Sequence, residues 1–261
     1  MIPESYIEAW RQNAQWQTLA MIEQDLVISR VLICLYNNDK VRDSLVFRGG
    51  TALNKLYLKP PARYSEDIDF VQKKAEPIGE TINAIRDCLN DWFGEPKRKI
   101  TERGAKLVYQ YTAINGLPAK LKIEINTTEH FQVLPLRQEQ LLVNSEWFQG
   151  ECGIVTYAIE ELMATKLRAL YQRRKGKDLF DVWHVFSKDL ANLDVMIDVF
   201  NKYCKNDEII ISKELFKINL EAKRLNKDFS IDMNVLLPHK IDWAFDEAFE
   251  YVQNHIIRRI S

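Results

Sequence analysis

Long apolar runs are missing from this chain. The longest uninterrupted stretches, such as Val31-Leu32-Ile33-Cys34-Leu35-Tyr36, fall far short of the ~20 residues that a bilayer-crossing helix needs. Met1 to Trp16 contains Glu4, Glu8 and Arg11 and no apolar centre, so it does not read as a secretion signal. Cysteine is sparse: Cys34, Cys88, Cys152 and Cys204 are dispersed, with no C-x-x-C pair. That excludes a disulfide framework or a structural zinc site and points to a reduced, cytoplasmic protein. An excess of one charge is missing too. Lys plus Arg is 36 and Asp plus Glu is 37, for a net charge of −1. A globally basic nucleic-acid coat is therefore absent, while a locally basic groove is still allowed. The four histidines (His130, His184, His239, His255) are scattered and give no triad or metal spacing.

What remains is an ordinary globular chain of 261 residues with 46% hydrophobic and 28% charged residues. This length suits one large domain or two small ones. Apolar residues at three- and four-residue steps predict a helix over residues 6–38, stopped by Asn37-Asn38-Asp39. A short strand at Leu45-Val46-Phe47 runs into Gly49-Gly50, and Thr51–Leu58 reads as a short helix ended by Pro60-Pro61. Asp67–Val71 alternates as a strand. Pro77–Phe93 is an amphipathic helix with Ile78, Ile82, Ile85, Leu89 and Trp92 on one stripe. The period then changes to two: Lys106–Thr112 and Lys120–Asn126 flank Asn115-Gly116, a hairpin signal. A strand at Gly153–Tyr157 follows. Helices are expected at Ile159–Gln172, Asp178–Phe186, Leu193–Tyr203, Lys213–Leu225 and Trp243–Ile257. The only candidate boundary is the composition shift near residue 158. The reading is an α+β half carrying a mixed β-sheet, residues 1–157, and a C-terminal helical half, residues 158–261.

Three places carry chemistry. In Asp67-Ile68-Asp69-Phe70, alternate residues of a strand share a face. Asp67 and Asp69 then point the same way, about 6.6 Å apart, with Ile68 and Phe70 toward the core. Two such carboxylates repel, and a divalent cation removes that penalty; oxygen-only ligands suit Mg²⁺ or Mn²⁺. The same alternation also serves a solvated edge strand. Glu124, on the polar face of Leu121–Ile125, is a candidate third carboxylate, or a surface acid paired with a lysine such as Lys122. Arg48-Gly49-Gly50-Thr51 leaves a strand and opens a helix. Glycines let a backbone approach a ligand closely, and a new helix offers unpaired N–H groups to phosphate. The same residues also make a tight turn with a threonine cap. The turn is neither a P-loop, since G-K-[ST] is lacking, nor a G-x-G-x-x-G fingerprint. The third place is the basic segment from Lys166 to Lys177. Lys166 lies beside the apolar stripe of its helix, where its ammonium can reach a phosphate as a point charge. Asp178 and Asp181 open the next helix, where acids also serve as caps.

Taken together, Phe47-Arg48-Gly49-Gly50-Thr51-Ala52-Leu53, Arg63-Tyr64-Ser65-Glu66-Asp67-Ile68-Asp69-Phe70, Lys166-Leu167-Arg168-Ala169-Leu170 and Lys177-Asp178-Leu179-Phe180-Asp181 resemble the AbiEii-type nucleotidyltransferases. These are toxin components of type IV toxin–antitoxin systems and include the MenT toxins. The resemblance spans about residues 45 to 185. It implies a polymerase-β-like nucleotidyltransferase core followed by a helical bundle that closes the active-site cleft. It also implies transfer of a nucleoside monophosphate from an NTP to an acceptor hydroxyl, with pyrophosphate leaving. Arg48, Gly49, Gly50 and Thr51 would form the phosphate-binding turn and Ser65 would contact the triphosphate. Asp67 and Asp69 would bind Mg²⁺, with Mn²⁺ as a substitute, and Glu124 would be the third metal ligand. Lys166 would hold the β- or γ-phosphate, and Asp178 would complete the catalytic set. The acceptor it implies is RNA, foremost the 3′ end of tRNA, which Lys166–Lys177 and Arg258-Arg259 would track. A protein or small-molecule acceptor is the alternative, and a non-catalytic nucleotide-binding module a third. The resemblance further implies a separately encoded antitoxin that forms no stable complex with the chain. Sixteen residues separate Gly50 from Asp67, slightly more than the superfamily pattern has, so an extended loop is expected around Pro60-Pro61.

Overall fold

The computed structural model describes residues 2–238, 241 and 243–260; His239 lies outside them. The chain divides into two compact units, Met1–Gln132 with Leu136–Tyr157, and Val133–Pro135 with Ala158–Ser261.

The first unit begins with helices α1 (Glu4–Trp10), α2 (Leu19–Tyr36) and α3 (Asp39–Ser44). One continuous helix over 6–38 is thus corrected to two. Trp10 and Trp16 are both buried, and their indole N–H groups both donate to Asp25, at 2.8 and 3.2 Å. Six residues apart on one helix, they would stand about 240° apart around the axis. Breaking the helix between them lets both reach the same carboxylate. Thr18 then restarts the chain as an N-cap, its side chain accepting from the Met21 amide, a contact worth ~1 kcal/mol.

Strand β1 (Leu45–Arg48) leads into α4 (Gly49–Ala52), which continues without a break as a π-helical turn, Leu53–Tyr57. Strand β2 (Asp67–Gln72) and helix α5 (Gly79–Phe93) follow, then β3 (Lys97–Thr101), β4 (Gly104–Thr112), β5 (Pro118–Asn126), β6 (Arg137–Asn144) and β7 (Gln149–Thr156). The β4–β5 hairpin turns at Asn115-Gly116, where Gly116 has φ +76°, as the turn signal requires. Strands β3 and β6 are additions to the expected set.

All seven strands form one mixed sheet in the order β3-β4-β5-β2-β1-β7-β6. Strands β1 and β2 are antiparallel, whereas β2–β5 and β1–β7 are parallel. One face is core: Phe47, Ile68, Phe70, Leu107, Leu121 and Ile123 are all buried there. The residues between them project to the other face. Register places Arg48 opposite Asp69, Asp69 beside Glu124, Glu124 opposite Lys106, and Lys106 opposite Lys99. One transverse row of charges thus crosses five strands.

The second unit is helical: α6 (Ile159–Gln172), α7 (Gly176–Ser187), α8 (Leu193–Asn206), α9 (Lys213–Arg224), α10 (Lys227–Ile231) and α11 (Phe245–Tyr251), the last extended by a π-helical turn, Val252–Ile256. Asn192, Ser212 and Asn226 cap α8, α9 and α10 with their side chains. The expected Trp243–Ile257 helix begins two residues late, at Phe245. Val133–Pro135 joins this unit because the buried Glu161 carboxylate accepts from the Val133 and Leu134 amides at 2.7 and 2.8 Å. The same carboxylate also accepts from the Tyr203 hydroxyl at 2.8 Å. Among the described residues no helix is long and apolar enough to cross a membrane.

Candidate active site

The β1–α4 turn and the start of β2 are built against each other. Gly49 has φ +83°, a conformation that side-chain-bearing residues adopt at a cost of ~1–2 kcal/mol. It also has no room for a side chain, since an added Cβ would strike the Asp69 carboxylate, lying 3.1 Å from its Cγ and closer to Oδ2. A Cβ on Gly50 would strike the Arg63 guanidinium. The two glycines therefore let the turn lie directly on Asp69 and Arg63. Thr51 is buried, and its hydroxyl donates to the Asp67 carbonyl oxygen at 2.5 Å and lies 2.9 Å from Ser65 Oγ. The Thr51 hydroxyl thus fastens the turn to the strand that carries the acids.

The loop between turn and strand is fastened too. Asn54 Nδ2 donates to the Gly50 carbonyl at 2.9 Å, while its Oδ1 accepts from the Ala62 and Arg63 amides at 2.9 and 3.1 Å. Arg63 is buried, and its guanidinium donates to the Tyr64 carbonyl at 3.0 Å. A cavity of about 10 Å³ lies behind the turn, lined by Thr51, Asn54, Lys55, Arg63 and Ser65 among others; it is at the lower limit for one water molecule. Lys55, from the π-helical turn, is pinned by Asp25 Oδ1 at 2.6 Å and Ser29 Oγ at 2.8 Å. Asn54, Lys55 and Asp25 were not singled out by sequence; polar residues at helical spacing next to a glycine turn were the available signal.

Asp67 and Asp69 project from β2 to the same face, as alternation requires. Lys122, in register with Asp67 on β5, places its ammonium 3.2 Å from Asp67 Oδ1 and 3.6 Å from Glu66. Those two acids hold the lysine above its ordinary pKa, against the opposing effect of burial. Asp67 Oδ1 is buried, and the Lys122 ammonium meets it as an ion pair outside good hydrogen-bond geometry. Arg48 pairs with Glu129 at 2.7 Å. Glu124 is in register with Asp69, but its carboxylate is taken by Lys106 at 2.5 Å, and both side chains are nearly half exposed. Among the described residues no three His, Cys, Asp or Glu side chains come together as a group able to hold a metal ion. In this structure Asp67 and Asp69 form a carboxylate pair on one face, and Glu124, in register with Asp69, is engaged by Lys106. Lys106, directly across the strand pair at about 5 Å, competes better for Glu124 than its strand neighbour Lys122, about 6.8 Å along.

The pair itself suits a hard divalent cation. Its donors are all oxygens, one of them is buried beside the Lys122 ammonium, and Gly49 leaves the Asp69 carboxylate uncovered by any Cβ.

The remaining expected residues lie in the second unit. Lys166 is buried, its ammonium 3.2 Å from Asp178 Oδ1 and 3.0 Å from Asp181 Oδ2. Arg173 adds a bidentate pair to Asp178, at 2.7 and 2.9 Å. Burial alone would push the Asp178 carboxyl up, but Lys166 and Arg173 outweigh it and hold the carboxyl at about 2. Half of the six cations of the basic segment are thus engaged by acids, Lys166 and Arg173 as above and Arg168 by Asp207 at 2.8 Å; outside the segment, Arg259 pairs with the exposed Asp194.

Residues 30–251 match the model of the AbiEii nucleotidyl transferase toxin family of type IV toxin–antitoxin systems. The chain belongs to this family. As an AbiEii-family protein it is a nucleotidyltransferase of a toxin–antitoxin family. Solved structures show the same fold. MenT4, a nucleotidyltransferase toxin from Mycobacterium tuberculosis, is similar with a TM-score of 0.66 at 17% identity, over 100% of this chain and 91% of that one. JHP933 from Helicobacter pylori gives 0.54 at 17% identity, over 93% and 92%. No curated protein matches the AbiEii-family chain described here.

Proposed function

We propose that this nucleotidyltransferase is Mg²⁺-dependent and transfers a nucleoside monophosphate from an NTP to the 3′ end of an RNA, foremost tRNA. The observation that carries the metal is the Asp67–Asp69 pair on one face of β2, with Asp69 seated against Gly49 and Asp67 Oδ1 buried beside the Lys122 ammonium. A bound Mg²⁺ would neutralise charge on the triphosphate and favour loss of a proton from the acceptor hydroxyl. The chain's own part is positioning and electrostatics, which is most of what phosphoryl chemistry asks of a protein. Asp67 and Asp69 hold the cation. The glycine backbone lets a triphosphate approach closely, and Arg48 on the same charged row supplies positive charge beside Asp69. Ser65 is half-buried next to the turn and is assigned a phosphate contact. A phosphate contact by Lys166 has a cost: the phosphate must compete with Asp178 and Asp181 for the ammonium. Asp178 acts by holding that ammonium in place, 3.2 Å from its Oδ1. The separately encoded antitoxin acts without forming a stable complex with the chain.

The test is a labelling reaction. The purified chain is mixed with total bacterial RNA, Mg²⁺ and each α-labelled NTP in turn, and RNA and protein are separated on one denaturing gel. The expected outcome is Mg²⁺-dependent label in a tRNA-sized band, lost in a folded Asp67→Asn variant. Label that persists in Asp67→Asn overturns the metal assignment, and label in a protein band moves the acceptor to protein.

A further inference from the structure

The sheet places more charge beside the aspartates than the transfer chemistry uses. On the face that carries Asp67 and Asp69, register brings up Lys120 and Lys122 from β5, Lys106 from β4, and Lys97 and Lys99 from β3. Lys97 stands across from Val108 and Lys99 across from Lys106; Lys120 stands across from Gln110. The lysines thus occupy a lattice with steps of about 4.8 Å across strands and about 6.8 Å along them. Lys106 and Lys122 offset Glu124 and Asp67. Lys97, Lys99 and Lys120 are exposed and make no ion pair among the described residues. A chain of net charge −1 therefore concentrates unbalanced positive charge on one flat, polar surface that runs from the aspartates to the edge of the sheet.

Charged edge strands also protect sheets from pairing with other chains. That accounts for too little here. The opposite edge, β6, manages with Gln138, Glu139 and Gln140 after Arg137, and it recruits no lysines on the strands behind it. On the β3 side the lysines reach inward over three strands to the carboxylate pair. A surface of that extent and regular lysine spacing, with an excess of positive charge toward the β3 edge, fits a polymer of phosphates better than a compact acidic partner, whose carboxylates follow no lattice.

We propose that the exposed face of β3, β4 and β5 is the track on which the phosphate backbone of the RNA acceptor lies, leading its 3′ end to Asp67 and Asp69. The assignment rests on reading those aspartates as the transfer centre for an RNA acceptor. It moves RNA contact away from the Lys166–Lys177 segment, whose Lys166, Arg168 and Arg173 are engaged by Asp178, Asp181 and Asp207.

The test compares the full chain with a Lys97→Gln, Lys99→Gln, Lys120→Gln triple variant and with a control triple, Lys205→Gln, Lys213→Gln, Lys227→Gln, on exposed positions of the second unit. Binding of bulk bacterial tRNA is followed by fluorescence anisotropy between ~50 and ~200 mM salt, and NTP binding is measured separately. The face triple is expected to bind tRNA at least about tenfold more weakly at low salt. Its log–log salt slope should shrink by about 2, at ~0.7 per lost phosphate contact. NTP binding and the control triple should be unchanged. Equal affinity and slope in the two triples overturns the proposal while leaving RNA transfer intact. Absence of tRNA binding by the unaltered chain, with Asp67-dependent label on a protein, overturns it as well and identifies an acidic protein acceptor. The expected binding loss without any label on RNA keeps the lysine face as an RNA-binding surface but overturns its role as the track of an acceptor, together with the transfer reading.

Discussion

Replacing Gly49 by alanine isolates the geometry of the site from the stability of the fold. Two costs follow from the structure. The first is backbone: alanine at φ +83° costs ~1–2 kcal/mol, because its Cβ crowds its own carbonyl. The second is specific to this place, where the new methyl overlaps the Asp69 carboxylate. The side chain must swing aside, and a displacement near 1 Å at a reacting centre costs on the order of 10²-fold in rate. Gly116 supplies the control. It has φ +76° in the β4–β5 turn, and an added Cβ there meets nothing within 4 Å. Gly116→Ala therefore carries the first cost without the second. In urea melts the two variants should lose similar stability. In the labelling reaction at saturating NTP, Gly49→Ala should fall about 10²-fold while Gly116→Ala stays near the unaltered rate. A Gly49→Ala protein with activity within a few-fold of Gly116→Ala refutes the claim that the turn and Asp69 are mutually positioned.

Lys166→Met leaves Asp178 and Asp181 buried with one countercharge removed, and should destabilise the chain by ~3–5 kcal/mol in urea melts; unchanged stability would show that the cluster is not energetically coupled. His184 is buried against Phe180, and burial, reinforced by Lys188, pushes its imidazole down to about 4, with Asp181 opposing. Its folded pKa lies below the unfolded value near 6.5, so the unfolded chain binds more protons between those values. Stability should therefore fall by up to about 3 kcal/mol as pH drops from 6.5 to 4. His184→Phe should flatten that part of the pH–stability curve, and an identical slope in the variant would refute the assignment.

The legible parts of this protein were those whose residues announce themselves locally. Asp67-Ile68-Asp69-Phe70 alternates, so its two acids had to share a face once it formed a strand. Asn115-Gly116 between two period-two runs could hardly be anything but a hairpin. Strand β3 was invisible because none of its five residues is buried; with no core face it has no alternation to detect. Strand β6 buries only Leu141 and Val143, too few to set a period. The roles of Glu124 and Lys166 depend on what stands across from them. Lys106 is 18 residues from Glu124 in sequence and Asp178 is 12 from Lys166, yet each captures its partner by register or helix packing. The lysine face was hidden for the same reason. Its members come from three strands and form a surface only after pairing, whereas the basic run at Lys166–Lys177 was conspicuous in one dimension and has half its cations engaged by acids in three.

The Asp25 carboxylate joins two indoles to the ammonium of Lys55, and Lys55 belongs to the helical segment that grows out of the glycine turn. Trp10 and Trp16 are consequently optical reporters wired to that segment. A displacement of Lys55 would therefore be felt at the carboxylate that both indoles share. The same wiring makes the first sixteen residues a brace. Trimming them removes both indole donors from Asp25 and leaves Lys55 as its side-chain donor among the described residues, so a shortened chain would read substrates with a slacker turn.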